Sequence, residues 1–213
     1  LAASATLGPA VADLGITCIE PAPLWVPPPP AQPPPAPTGT DVTAVGDSIM
    51  VDLSPFLTDQ LPGITVDGQV SRQENQLPDM LATMRSQGRL PKRLVIELGT
   101  NGPFDGSQLA DTLRGLGSMD RIVLVNAREP RPWESDVNQT IADVAQQVPH
   151  AVVVDWHSAS AGHPEYFFDD GVHPNAAGSP VLASLIARAL SPTPAPPPPP
   201  NPAAMHVVRC AWW

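Results

Sequence analysis

The sequence predicts an α/β fold. We expect three layers, with a flavodoxin-like parallel sheet of five strands, order 2-1-3-4-5, between helices. Three observations carry this. Five short apolar runs lack the polar alternation of half-exposed strands, so they suit strands buried on both faces. The segments between them space their apolar residues at helical intervals. Strand and helix alternate throughout, which gives right-handed crossovers and a parallel sheet.

The elements follow in order. Asp41 to Gly46 is the first strand. Asp47 to Gln60 is a helix with Ile49, Leu53, Phe56 and Leu57 on one face, and Pro55 is expected in or near its first turn. Ile64 to Val66 is the second strand. Gln76 to Gln87 is a helix presenting Leu77, Met80, Leu81 and Met84. Arg93 to Leu98 is the third strand, and Ser107 to Leu116 the next helix. Arg121 to Val125 is the fourth strand. Glu134 to Gln147 is a helix turning Val137, Ile141, Val144 and the following Val148 inward. Ala151 to Asp155 is the fifth strand. The closing helix runs from Asn175, a plausible N-cap, to Leu190.

Proline marks the flanks. Of 213 residues 30 are Pro, about three times the usual share. Most lie in two blocks, Pro21 to Pro37 and Pro192 to Pro202. We therefore divide the chain into a Pro-rich extension (1–40), a globular domain (41–191) and a Pro-rich tail (192–213). Such runs favour extended polyproline II and suit spacers. Cys18 and Cys210 bracket both blocks, with no third Cys between them. A disulfide joining them would close a long loop, worth about 4–5 kcal/mol in the chain-entropy model. Two unpaired thiols are the alternative.

The balance of 11 basic and 21 acidic side chains gives a net charge of −10, and Lys92 is the one lysine. This excludes a nucleic-acid binder, which needs a basic face, and a polybasic membrane anchor. No apolar run is long enough to span a bilayer, and no complete signal peptide stands at Leu1. The chain reads as a piece of a longer precursor.

Function in such sheets gathers at the carboxyl ends of strands. After the first strand comes Gly46-Asp47-Ser48, a sharp turn into a helix whose first N–H groups can face an oxyanion. Ser48 is a candidate nucleophile or merely an N-cap. After the third strand comes Gly99-Thr100-Asn101-Gly102, in which Asn101 is an amide donor or a turn residue. After the fifth comes Asp169-Asp170-Gly171-Val172-His173-Pro174. A carboxylate three residues before an imidazole can fix its tautomer and leave Nε2 as a base. Each segment alone is unremarkable. All three on one sheet edge make the parts list of acyl transfer through a serine ester. The absence of a Gly-x-Ser-x-Gly elbow sets this apart from the usual α/β-hydrolase pattern. The histidines His150, His157 and His163 lack ligand spacing, so neither metal nor cofactor is expected.

These blocks, in this order, resemble the SGNH hydrolase superfamily. The resemblance narrows with Val70-Ser71-Arg72-Gln73, Gly99 to Pro103, Asn126 to Glu134 and Val154-Asp155-Trp156. Together they are similar to the extracytoplasmic SGNH domain of OatA-type, acyltransferase-3-linked peptidoglycan O-acetyltransferases, over roughly residues 41 to 190. The resemblance implies Ser48 as nucleophile, His173 as base and Asp170 as its orienting partner. It implies oxyanion donors at Ser48, Ser71 and Asn101. Ser71 stands where the family has Gly, and Gly68 is an alternative for that turn. Arg72 and Gln73 are candidate substrate contacts, with a structural ion pair as the other reading of Arg72. Trp133 and Trp156 are candidate sugar platforms or core residues.

The function implied is the extracytoplasmic domain of a membrane-bound O-acyltransferase. It would move an acyl group, acetyl by resemblance, from a membrane acyltransferase domain on the same polypeptide to a cell-envelope glycan or glycolipid hydroxyl. The localisation implied is the cell envelope, tethered by a segment outside this chain. A carbohydrate or lipid O-acyl esterase and a non-catalytic envelope-binding module are the alternatives.

Overall fold

The computed structural model describes residues 38–191. Both Pro blocks, Cys18 and Cys210 lie outside the described residues. Within them, β1 (Val42–Gly46), β2 (Thr65–Gly68), β3 (Arg93–Glu97), β4 (Arg121–Val125) and β5 (Ala151–Val154) form one sheet. Its order is β2-β1-β3-β4-β5 and every neighbouring pair is parallel, as the apolar runs predict.

Two apolar layers hold the sheet. On one face α1 (Ser48–Gln60) and α6 (Gly178–Leu190) pack Met50, Leu53, Leu57, Leu182 and Ile186 onto Ala44, Val95 and Val123. On the other, α2 (Leu77–Ser86), α3 (Gly106–Arg114) and α4 (Glu134–Gln147) pack Leu81, Leu109, Leu113, Val137 and Ile141 onto Val45, Ile96 and Leu124. Alternate strand residues thus face opposite layers. Each of the Val, Leu, Ile and Met side chains among them, buried in full, is worth about 1.5–3 kcal/mol.

Three expectations shift. Pro55 lies well inside α1 rather than in its first turn. It sits on the solvent face, where water can satisfy the Val51 carbonyl that loses its partner, and Val51 is 41% exposed. The closing helix starts at Gly178, with Ala177 as its cap residue. Asn175 closes a turn ahead of it: Oδ1 accepts from the N–H groups of Ala177 and Gly178, while Nδ2 donates to the carbonyls of Glu165 and Phe167. The β5–α6 connection also holds structure that the apolar pattern does not mark. It contains α5 (Trp156–Ala159) and a 3₁₀ turn (Pro164–Tyr166), with Trp156 buried against Tyr166 and Phe167.

Candidate active site

Three chain segments meet at the carboxyl edge of the sheet. β1 ends at Gly46, and Asp47 caps α1 by accepting the Ile49 N–H on Oδ1 at 3.0 Å. The cap residue is therefore Asp47, not Ser48, and the Ser48 hydroxyl is released from that duty. As the first helical residue, Ser48 has no intrahelical acceptor for its own N–H. Its side chain is half-buried.

The loop ahead of α6 presents the imidazole. His173 Nε2 lies 3.0 Å from Ser48 Oγ, and its Nδ1 lies 2.7 Å from Asp170 Oδ2. Asp170 Oδ1 accepts the N–H groups of Val172 and His173 at 2.9 and 3.0 Å. That turn requires Gly171, whose φ is +69°. The slight burial of Asp170 pushes its carboxyl upward. The two backbone donors and the imidazole outweigh that push and hold it below the ordinary 3.8. Asp170 therefore stays ionised, and an ionised partner fixes Nδ1 as the protonated nitrogen.

The second and third blocks meet behind Ser48. Asn101 Nδ2 donates to Asp47 Oδ2 at 3.0 Å and to the Arg72 carbonyl at 3.2 Å. The Arg72 N–H closes a turn onto the Gln69 carbonyl, with Val70 and Ser71 between them. Ser71 has φ +63°, the left-handed value that suits the glycine of the family pattern. Gly68 is not the turn residue. It ends β2, where a Cβ would stand 2.8 Å from the Val51 nitrogen of α1.

Arg72 departs from its reading as a substrate contact. It is 6% exposed, and its guanidinium is consumed by the carbonyls of Gly46 and Asp67, the Asp67 carboxylate at 2.7 Å, and Gln69. It fastens the Ser71 turn to β1 and β2. Gln73 is exposed and engages the 3₁₀ turn Glu74–Gln76, where its N–H donates to the Gln76 side chain. Trp133 is no exposed platform either. It packs against the α2–α4 layer, and Arg131 lies over its ring at 6.0 Å. Trp156 is core.

Two features escape the sequence reading. Glu97, at the end of β3, is buried beside Asp47. A residue-rich cleft of about 660 Å³ runs beside the His173 loop, lined by Arg128, Pro130, Glu134, His163, Phe168 and Asp169 among others. Phe168 is 57% exposed. Its signal in the sequence is a large aromatic next to two loop acids. That of Glu97 is a carboxylate closing an otherwise apolar strand. Among the described residues no cluster of His, Cys, Asp and Glu is arranged to hold a metal ion.

The sheet order and the segment order Ser, Asn, Asp-x-x-His define an SGNH-type serine acyltransferase or esterase domain. No family model matches the chain. Its similarity is to named proteins. It is 41% identical over 155 residues to the peptidoglycan O-acetyltransferase OatA of Listeria monocytogenes, an alignment covering 71% of this chain and 24% of that one. It is 41% identical over 150 residues to the O-acetyltransferase OatA of Staphylococcus aureus, covering 68% and 24%. The chain thus spans about a quarter of the length of these curated relatives. Among solved structures, the C-terminal catalytic domain of Streptococcus pneumoniae OatA, bearing a methylsulfonyl adduct, superimposes with TM-score 0.63 at 25% identity. That match covers 73% of this chain and 93% of the other. The described domain is accordingly homologous to the SGNH domain of OatA-type O-acetyltransferases.

Proposed function

We propose that this domain transfers an acetyl group through a Ser48 ester to a hydroxyl of a peptidoglycan-type glycan. One observation carries the reading: the Ser48–His173–Asp170 chain of contacts at 3.0 and 2.7 Å. It stands in a chain 41% identical to peptidoglycan O-acetyltransferases.

In the first step Ser48 Oγ attacks the donor's acyl carbon while His173 Nε2 takes the hydroxyl proton. Asp170 stabilises the imidazolium that forms. The negative charge on the acyl oxygen is met by the N–H groups of Ser48 and Ser71 and by the Asn101 amide, which gives up its longer bond to the Arg72 carbonyl. Collapse expels the leaving group, which takes the proton from His173. In the second step a sugar hydroxyl yields its proton to His173 and attacks the acyl-Ser48 carbon. The new ester leaves, and Ser48 recovers its proton from the imidazolium. Water in place of the sugar gives hydrolysis, so acceptor binding and water exclusion decide the outcome.

The acyl donor is proposed to come from a membrane domain lying elsewhere in the full protein, and the site to face the cell envelope. No helix among the described residues is long and apolar enough to cross a membrane. The test supplies a chromogenic acetyl ester with and without a peptidoglycan-derived oligosaccharide. Acetylated oligosaccharide made by the wild type and absent with Ser48→Ala supports the reading. Acetate alone, at every acceptor concentration, points to an esterase.

A further inference from the structure

Glu97 is a buried acid for which the steps above find no use. It is 4% exposed, and Asp47 is fully buried. The Asp47 N–H donates to the Glu97 backbone carbonyl at 3.2 Å, which brings the two side chains together, and each carboxyl shifts the other's hold on its proton. Counting donors around the pair leaves one oxygen over. Asp47 Oδ1 takes the Ile49 N–H and Oδ2 takes the Asn101 amide. Glu97 Oε1 takes the Thr100 hydroxyl at 3.3 Å, and Glu97 Oε2 has no donor among the described residues. Gly46 makes the approach possible, since a Cβ there would stand 2.9 Å from Glu97 Oε2 and 2.4 Å from the Met50 Cβ.

Among the described residues no cationic side chain is paired with either carboxyl. The Arg72 guanidinium is spent on Gly46, Asp67 and Gln69. Arg128 borders the small cavity next to Glu97 but is directed to His157. His173 is engaged by Ser48 and Asp170. That cavity measures about 10 Å³, the lower limit for one water. Two carboxylates in contact without a counter-charge cannot both be ionised.

We propose that Glu97 is a neutral acid whose proton is donated to Asp47, and that this bond positions Asp47 to hold the Asn101 amide beside Ser48. Glu97 is thus a positioning residue acting two contacts away from the reacting atoms. The proton resides on Glu97 because Asp47 already has two donors to stabilise its charge. Burial, and then the Asp47 charge, push Glu97 well above the usual carboxylate range. Asp47 is raised by burial too, against the opposing Ile49 N–H and Asn101 amide. The inference rests on the proposed role of Asn101 and deepens it.

The test compares Glu97→Gln, which keeps a donor toward Asp47, with Glu97→Met, which keeps only the volume. Both are made in the 213-residue chain and checked for folding by circular dichroism. Glu97→Gln is expected to hold kcat on an acetyl ester within about threefold. Glu97→Met is expected to lose about 10- to 100-fold in kcat at nearly constant KM, part of what removing an oxyanion donor outright costs. Wild-type kcat is expected to decline at alkaline pH as Glu97 ionises, and Glu97→Gln to stay flat. Infrared spectroscopy of the wild type at about pH 8, far above the ordinary Glu value of about 4.3, is expected to show a protonated-carboxyl band that Glu97→Gln lacks. The band is independent of turnover and decides the matter if Glu97→Met does not fold or the chain proves inactive. Its absence, or a Glu97→Gln protein as slow as Glu97→Met, overturns the proposal.

Discussion

His173 Nε2 stands 3.0 Å from Ser48 Oγ although 125 residues separate them. The sheet closes that distance. β1 delivers Ser48 at its end, and the loop before α6 returns over the same edge because α6 packs beside α1. If the pair acts as nucleophile and base, its members work as a unit. Ser48→Ala and His173→Ala should each remove nearly all acetyl-ester turnover, and the double variant should be no slower than the slower single one. Steady-state rates of the three proteins check this. Losses that multiply in the double variant speak against a shared step.

Asp170 tests the other end of the imidazole. In Asp170→Asn the side-chain carbonyl can still accept the Val172 and His173 N–H groups, so the turn survives. The amide then faces Nδ1 and selects the wrong tautomer. We expect kcat to drop about 10²- to 10⁴-fold with an unchanged circular dichroism spectrum. The sign of the pH dependence follows from the depressed Asp170 carboxyl. What its charge contributes is present above its unfolded value and lost as pH falls through its lower folded value. Protonation of Asp170 should thus affect the wild type only below about pH 4. A variant with full activity would instead place the orienting role on Asp169 or on a backbone carbonyl.

If the cleft holds the proposed glycan acceptor, Phe168 separates acceptor binding from the chemistry at Ser48. An exposed ring on a cleft wall is a stacking face for a sugar. Phe168→Ala should raise KM for the oligosaccharide about 2- to 10-fold, an aromatic stacking contact being worth about 0.5–1.5 kcal/mol, while hydrolysis without acceptor is unchanged. Equal effects on transfer and hydrolysis would remove Phe168 from the acceptor site.

The sheet was legible because its three inner strands, β1, β3 and β4, are buried on both faces, which leaves a pattern in the sequence that partners cannot disguise. The bounds of α4, Glu134–Gln147, follow from one apolar stripe, Val137, Ile141 and Val144, buried against the sheet. What escaped depends on contacts that no local pattern encodes. Arg72 looks available until Asp67 and the Gly46 carbonyl take its guanidinium. Trp133 looks like a platform until it packs, half-buried, against the α2–α4 layer. Asn175 looks like a helix cap, but its amide also ties down the carbonyls of Glu165 and Phe167. Glu97 is invisible as a site residue because its partner, Asp47, lies on another strand's end. The blocks carrying Ser48 and Asn101 could be read because each follows a strand closely, and the one carrying His173 because its carboxylate partner stands three residues ahead of it.

Ser71 carries a backbone strain that glycine would not. Its φ of +63° costs an L-residue about 1–2 kcal/mol, and glycine's greater freedom in the unfolded chain takes back about 0.5–1 kcal/mol. Ser71→Gly should therefore stabilise the domain by up to about 1 kcal/mol in urea unfolding. It should keep its acetyl-ester activity, since the proposed donor at this position is the backbone N–H. Loss of activity in a stabilised Ser71→Gly protein would show that the hydroxyl itself takes part.

Glu74 gives the domain a pH dependence separate from catalysis. It is 5% exposed, its Oε1 has no partner, and it borders a small apolar cavity with Leu98, Phe104 and Leu109. Burial, with the Asp105 charge adding to it, raises its carboxyl from 4.5 to about 7. The folded state thus keeps this proton up to about pH 7, while the unfolded chain releases it near the ordinary value. Between those limits the folded state binds more protons, so stability falls as pH rises. At about 1.4 kcal/mol per tenfold, the loss is complete above pH 7 and amounts to about 3 kcal/mol. Glu74→Gln keeps the shape and cannot ionise. It should stabilise the protein by about 1–3 kcal/mol at pH 8 and by less than about 1 kcal/mol at pH 5, where the wild-type side chain is already neutral when folded. Urea unfolding of both proteins at the two pH values measures this. The same gain at both, or a loss at pH 8, would mean that the folded protein holds the ionised carboxylate with a donor of its own.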